Sequence, residues 1–349
     1  MLFVLNDKNY NGVLINVHND ITLIQLSFYI MKKISILLAL CILFSSHDMF
    51  LKFNSYFLEP HSKSTVQLIN GTFDRSDNTI TRDRMIDVSV VENGNRAKID
   101  TTEWFDEGET SILNLGTNDP GTYVVGVSTK ARDFAMKAKT FNDYLIHDGV
   151  LDMLEMRKQK NMIDQDVVEK YSKHVKAIFQ VGNEATNDWS TILDYPIEFV
   201  PLQNPYKAKL RDEFRVQLLW AGKPLINQLV YAGNAKTSHT HDDDEDHHHH
   251  DIQLRTDENG IISFKPKYAG IWFLRTIYME ESSEPGLTHE SNWATLTFEM
   301  PSRSQRLKDA NEEEKGEGLF TTGKWLLIIS LTAILLLLIL RFLMRRKKN

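Results

Sequence analysis

Short apolar or alternating runs broken by turn residues constrain this chain more than any other feature. From Thr65 onward it reads TVQLIN before Gly71, MIDVSVV before ENGN, and SILNLGTNDPGTYVVGVST. After Pro196 come IEFVPL, EFRVQLLW, PLINQLVYAG, IQLRT, IISFKPK, IWFLRTIYM and WATLTFEM. Side chains of a strand alternate between faces, and Asn-Gly or Asp-Pro-Gly steps supply the turns between strands, so both stretches are expected to be β. The later stretch holds about seven strands in roughly a hundred residues, the count of an immunoglobulin-like or transthyretin-like sandwich. TDENG at Thr256–Gly260 reads as a tight hairpin turn, and YAG before IWFLRTIYM as another. Between the stretches the period changes. Phe141 to Gln159, and Val167 to Phe179 with Asp164 as its cap, carry apolar residues three or four apart and predict two amphipathic helices. The expected fold class is therefore mainly β: two β-sandwich-like exported domains, residues 47–195 with the helical pair at its end and 196–300, followed by a transmembrane helix.

The second sandwich must accommodate His239, Thr240, His241, Asp242, Asp243, Asp244, Glu245, Asp246, His247, His248, His249, His250 and Asp251. Six imidazoles and six carboxylates with no apolar side chain cannot enter a core, so the run is expected as a solvated loop of unpaired carboxylates inserted between strands. Imidazole is the commonest side-chain ligand of nickel, copper, zinc and cobalt, and several in one segment can wrap an ion. A polar insertion that only solubilises a hairpin needs charge but has no use for imidazole. The run therefore predicts capture of a divalent transition metal, weakening as pH falls through about 6.5. Cys41 is the one cysteine, so neither a disulfide framework nor a thiolate metal site is available, and any ligands are nitrogen and oxygen.

The two ends predict export and anchoring. Residues 31–46, MKKISILLALCILFSS, have the charged start, short apolar run and small residues of a secretory signal, which makes residues 1–30 a possible extension ahead of the true start at Met31. Residues 325–344 are almost uninterrupted Leu and Ile, and the basic tail 345–349 follows. That pattern is a transmembrane helix with its positive flank in the cytoplasm, reached through a polar stalk at 301–324. The bulk of the chain is then expected outside the cytoplasm, in the periplasm or at the cell surface. The formal net charge of -7 comes largely from the histidine run, and the concentrated basic cluster is the tail, so nucleic acid is not an expected partner.

Taken together, HDMFL at His47, FNDYL at Phe141, EFVPLQNPY at Glu198, GKPL at Gly222, TDENGIISFKP at Thr256, YAGIWFLR at Tyr268 and WATLTFEM at Trp293 resemble a bacterial exported family associated with nickel and cobalt uptake. Its members were long catalogued as a domain of unknown function. The resemblance covers His47 to about Met300. It implies a β-rich periplasmic or surface protein that delivers or buffers a transition metal for a separate membrane transporter, with a His-rich insertion ahead of the TDENG segment.

His47 follows the expected signal cleavage region. Cleavage after Ser46 would let its amine and imidazole chelate one ion, while cleavage after Ser45 would leave it second; an ordinary surface histidine is the other reading. His147 and His174 lack a partner histidine one turn away and are read as surface or packing residues. No HExxH, nucleophile elbow or glycine-rich phosphate loop occurs, and His289-Glu290 has no second histidine four residues after the first, so no catalytic residues are expected. The alternative to metal handling is a membrane-anchored β-sandwich for adhesion or scaffolding. Nickel, cobalt, zinc and copper all suit the donor set.

Overall fold

Turn chemistry sets the strand boundaries in the computed structural model, which describes residues 48–235 and 251–302. Asn93 and Gly94, both at positive φ, close a two-residue hairpin in which Glu92 pairs with Asn95. Ala221 and Gly222 do the same between Trp220 and Lys223. Such left-handed pairs match the twist of the flanking strands. The described residues divide into two units, 135–167 and the remainder.

The larger unit is mainly β. Its ten-stranded sheet runs, edge to edge, through Ile252–Arg255, Leu229–Asn234, Gly270–Glu281, His289–Met300, Val167–Val181, Gly121–Thr129, Met85–Glu92 and Asn95–Lys98, with two short strands beside this path. Both stretches expected on either side of residues 195 and 196 contribute strands to it. A five-stranded sheet contains Asp48–Phe53, Lys63–Thr72, Thr110–Gly116 and Trp104–Glu107. A four-stranded sheet contains Ile197–Pro201, Phe214–Trp220 and Ile261–Phe264.

Alternation along His289–Met300 shows how the layers stack. Thr295 and Thr297 donate from their hydroxyls to the carbonyls of Met49 (2.7 Å) and Leu51 (2.5 Å), fastening the five-stranded sheet to one face. Phe298 points the other way and meets Phe214, with ring centroids 5.1 Å apart, in the four-stranded sheet. Trp272, its register partner, meets Phe264 at 5.4 Å. The large sheet is thus covered on both faces, and its central strands are nearly continuously buried.

That burial overturns the second expected helix. Val167–Val181 is a strand, paired parallel to His289–Met300 from Glu169 opposite His289 to Ala177 opposite Thr297. Apolar residues occupy both of its faces, which mimics a helical spacing, and Val, Tyr, Ile and Phe favour the pleated backbone. Asp164 caps no helix. The first expected helix is two, Ala138–His147 and Leu151–Gln159, separated by Gly149 at φ 75°. Both lie in the smaller unit, around buried Phe141, Leu145, Met153 and Leu154. Arg157 is buried with them, donating to Asn142 Oδ1 (3.1 Å) and the Gln165 carbonyl (2.9 Å).

TDENG is also corrected. Asp257 Oδ1 accepts the amides of Asn259 and Ile261, both at 2.8 Å, and Gly260 takes φ 68°, as a tight turn requires. Yet Ile252–Arg255 and Ile261–Phe264 belong to different sheets. The turn is a corner between layers, not a hairpin. No helix among the described residues is long and apolar enough to cross a membrane. The signal, stalk, anchor and tail expectations lie outside the described residues, apart from Pro301 and Ser302.

Candidate functional site

Leu229–Asn234 and Ile252–Arg255 pair antiparallel, from Leu229 opposite Arg255 to Ala232 opposite Ile252. The histidine run therefore joins two neighbouring strands at the edge of the large sheet. His239, His241, Asp242, Asp243, Asp244, Glu245, Asp246, His247, His248, His249, His250 and His47 lie outside the described residues. Asp251 is described, and so is the ground on which the run stands.

That ground is built around Arg275. Its strand position puts it opposite Tyr231 and Thr295, on the face that carries the five-stranded sheet. There its Nε lies 3.5 Å from Asp48 Oδ2 and 3.4 Å from Asp251 Oδ2, and the Arg275 side chain is only 2% exposed. Its guanidinium carbon sits 4.3 Å from the Tyr231 ring centroid. A buried guanidinium needs compensating charge, and two carboxylates with 6% and 7% side-chain exposure provide it. Asp251 is accordingly not one of the unpaired, solvated carboxylates that the sequence suggests, because Arg275 holds it.

Gly233 makes room for this arrangement. A Cβ there would stand 2.5 Å from Asp251 Oδ1 and 2.1 Å from Phe273 Cζ. Phe273 in turn packs against Phe50 and Phe73, at ring-centroid distances of 5.3 and 4.7 Å, giving the site a rigid aromatic floor. Asp48 follows His47 directly in the chain, and Asp251 follows His250. The residues next to two of the candidate ligands are therefore fastened to one cation. Among the described residues, no group of three or more His, Cys, Asp or Glu is placed to hold a metal ion.

The other histidines fall where packing puts them. His174 is buried between Ser128 Oγ, 2.9 Å from Nδ1, and Ser172 Oγ, 3.0 Å from Nε2; burial pushes its pKa down to about 4 although Asn292 opposes the shift. His147 is half exposed and lies 3.1 Å from Asp148 Oδ1. His289 is buried beside Thr288 Oγ1 at 2.9 Å, and the neighbouring Ser291 hydroxyl donates to Glu169.

Two further charge groups, one buried and one partly exposed, were not legible in the sequence. Lys176 and Glu198 form an ion pair at 2.9 Å with side chains 1% and 2% exposed, and Glu198 also accepts the amides of Leu193 (2.9 Å) and Tyr195 (3.3 Å). Burial pushes the Lys176 pKa down, against the pull of Glu198. Nearby, Asp87 accepts from Tyr195 Oη (2.7 Å), Ser89 Oγ (2.7 Å) and Arg96 (2.6 Å). Burial alone would raise the Asp87 pKa, and these donors together lower it.

A family model described as a domain of unknown function, DUF4198, matches residues 44–280. No curated protein matches the chain. Among solved structures, the D0-D1 domain of intimin aligns over 72% of this chain and 97% of its own at 11% identity, with a TM-score of 0.17. Trypsin-activated alpha-2-macroglobulin from Escherichia coli aligns over 72% of this chain and 15% of its own at 10% identity, with a TM-score of 0.19. The Escherichia coli adhesin FdeC aligns over 66% and 59% at 11% identity, with a TM-score of 0.18.

Proposed function

This chain belongs to the DUF4198 family, whose matched domain has no assigned function, and we propose that it is an exported, membrane-anchored protein that captures divalent transition metal ions and buffers them or delivers them to a separate membrane transporter. Nickel or cobalt is the cargo the motif resemblance favours. The supporting observation is the histidine run itself, six imidazoles interleaved with carboxylates, joined to a rigid sheet edge through Asp251 and Arg275. Asp251 serves as the run's structural foot. The capturing donors are then His239, His241, His247, His248, His249 and His250 with Asp242, Asp243, Asp244, Glu245 and Asp246, and His47, next in sequence to Asp48, is a further donor.

An ion uses four to six donors, fewer than the run offers, so several overlapping sets compete. Multiplicity favours capture over selectivity. More than one ion per chain is expected, with little discrimination among nickel, zinc and cobalt and tighter copper binding. Calorimetric titration of nickel and zinc at pH 7 into the wild type and a variant with His247 to His250 changed to Ser tests this. Most of the capacity should be lost in the variant while its folding is unchanged. Equal stoichiometry and affinity would remove the metal reading and leave the run as a solubilising connection in an adhesion or scaffolding module.

A further inference from the structure

Gly270 pairs with Met300, so the chain leaves the large sheet toward residues 303–349 at the end where Gly270–Glu281 begins. Residues 265–269 link that strand start to Phe264, whose ring packs on Trp272. The loop after Pro201 lies at the same end: the Arg211 amide donates to the Pro266 carbonyl at 2.8 Å, and Trp272 Nε1 donates to the Tyr268 carbonyl at 2.9 Å. Two loops are thus tied together beside the exit.

Their exposed side chains are mostly basic. Lys207, Lys209, Arg211, Lys265 and Lys267 are exposed there, against Asp212 and Glu213, and Tyr268 between them is 50% exposed. A cationic patch carrying an exposed tyrosine, next to the segment that leads to the apolar run 325–344, has the chemistry of a surface that rests on phospholipid headgroups. We propose that this patch docks the domain on anionic lipid of the membrane in which the chain is anchored. Asn234 pairs with Trp272, so the strand leading into the histidine run also ends here. Docking would hold that end of the sheet, and with it the start of the run, next to the bilayer where a transporter takes its cargo. This inference rests on the membrane-anchoring reading.

The test reconstitutes the full chain into vesicles of phosphatidylcholine alone or with an equal part of phosphatidylglycerol, and follows acylation of individual lysines by mass spectrometry. Acylation of Lys209, Lys265 and Lys267 should slow about fivefold in the anionic vesicles and recover in high salt. Lys223, at the far end of the Phe214–Trp220 strand, serves as the internal control and should not change. Lys209→Glu with Lys265→Glu and Lys267→Glu should abolish the difference at the remaining Lys207. Equal rates in the two vesicle types overturn the proposal, whether the lysines are open in both or covered in both by the chain's own acidic run or a second copy. If the chain fails to insert into phosphatidylcholine vesicles, the anchoring reading fails by itself and flotation decides the patch. Capture by anionic vesicles alone then supports it, and capture by neither overturns it.

Discussion

Replacing Arg275 with methionine removes the guanidinium that pairs with both Asp48 and Asp251 while keeping much of the side-chain volume. All three side chains are almost fully buried, with Nε to oxygen distances of 3.5 and 3.4 Å, so two carboxylates would be left in a low-dielectric site. Removing one member of a buried ion pair typically costs about 3–5 kcal/mol, mostly through the charge left behind. Loss of the cation over the Tyr231 ring adds roughly 0.5–2 kcal/mol. Against a total stability of about 5–15 kcal/mol, that is a large fraction. Urea unfolding of the detergent-solubilised chain at neutral pH, followed through tryptophan fluorescence, should show the midpoint falling with little change in slope. Adding Asp48→Asn and Asp251→Asn to Arg275→Met removes the stranded charges and should recover much of the loss. A single variant that loses less than about 1 kcal/mol, or a triple variant no better than the single, would refute the reasoning.

Gly233→Ala forces a methyl against Asp251 and the packed Phe273 ring, and should destabilise by about 1–3 kcal/mol in the same unfolding assay. Glu198→Leu should cost more than Lys176→Met, because the carboxylate also accepts two backbone amides; comparison of the two unfolding midpoints checks this. For His174, whose folded pKa of about 4 lies below its ordinary value of 6.5, the unfolded chain binds more protons between those values. Its contribution is therefore present above pH 6.5 and is lost as pH falls toward 4, by at most about 1.4 kcal/mol per pH unit, and His174→Gln should flatten that slope in a pH series of unfolding curves.

Local chemistry made much of the fold legible. ENGN announced its hairpin because left-handed backbone favours Asn and Gly, and the alternating runs marked most strands; the turn at Ala221 and Gly222 carried no such signal at its first position. Val167–Val181 deceived because a strand buried on both faces loses its period of two. TDENG was recognisable as a turn, but no local pattern says whether a turn closes a hairpin or crosses between layers. The histidine run was conspicuous, whereas its foot was not. Arg275 stands in IWFLRTIYM, a strand otherwise rich in apolar residues, and a charge in such a strand is the available hint of a buried partner. Asp48 is distant from it in sequence and belongs to the five-stranded sheet, and Asp251 precedes a strand at the edge of the large sheet, so the stacking of the two sheets brings the three together.

Equilibrium dialysis of the full chain against nickel at pH 7, with and without residues 239–250, tests the central claim most directly. The intact chain should hold more than one ion, release most of it at pH 5 as the imidazoles protonate, and lose most of its capacity with the run. Equal nickel content in the intact and shortened chains, or no binding by the intact chain at pH 7, would contradict the account.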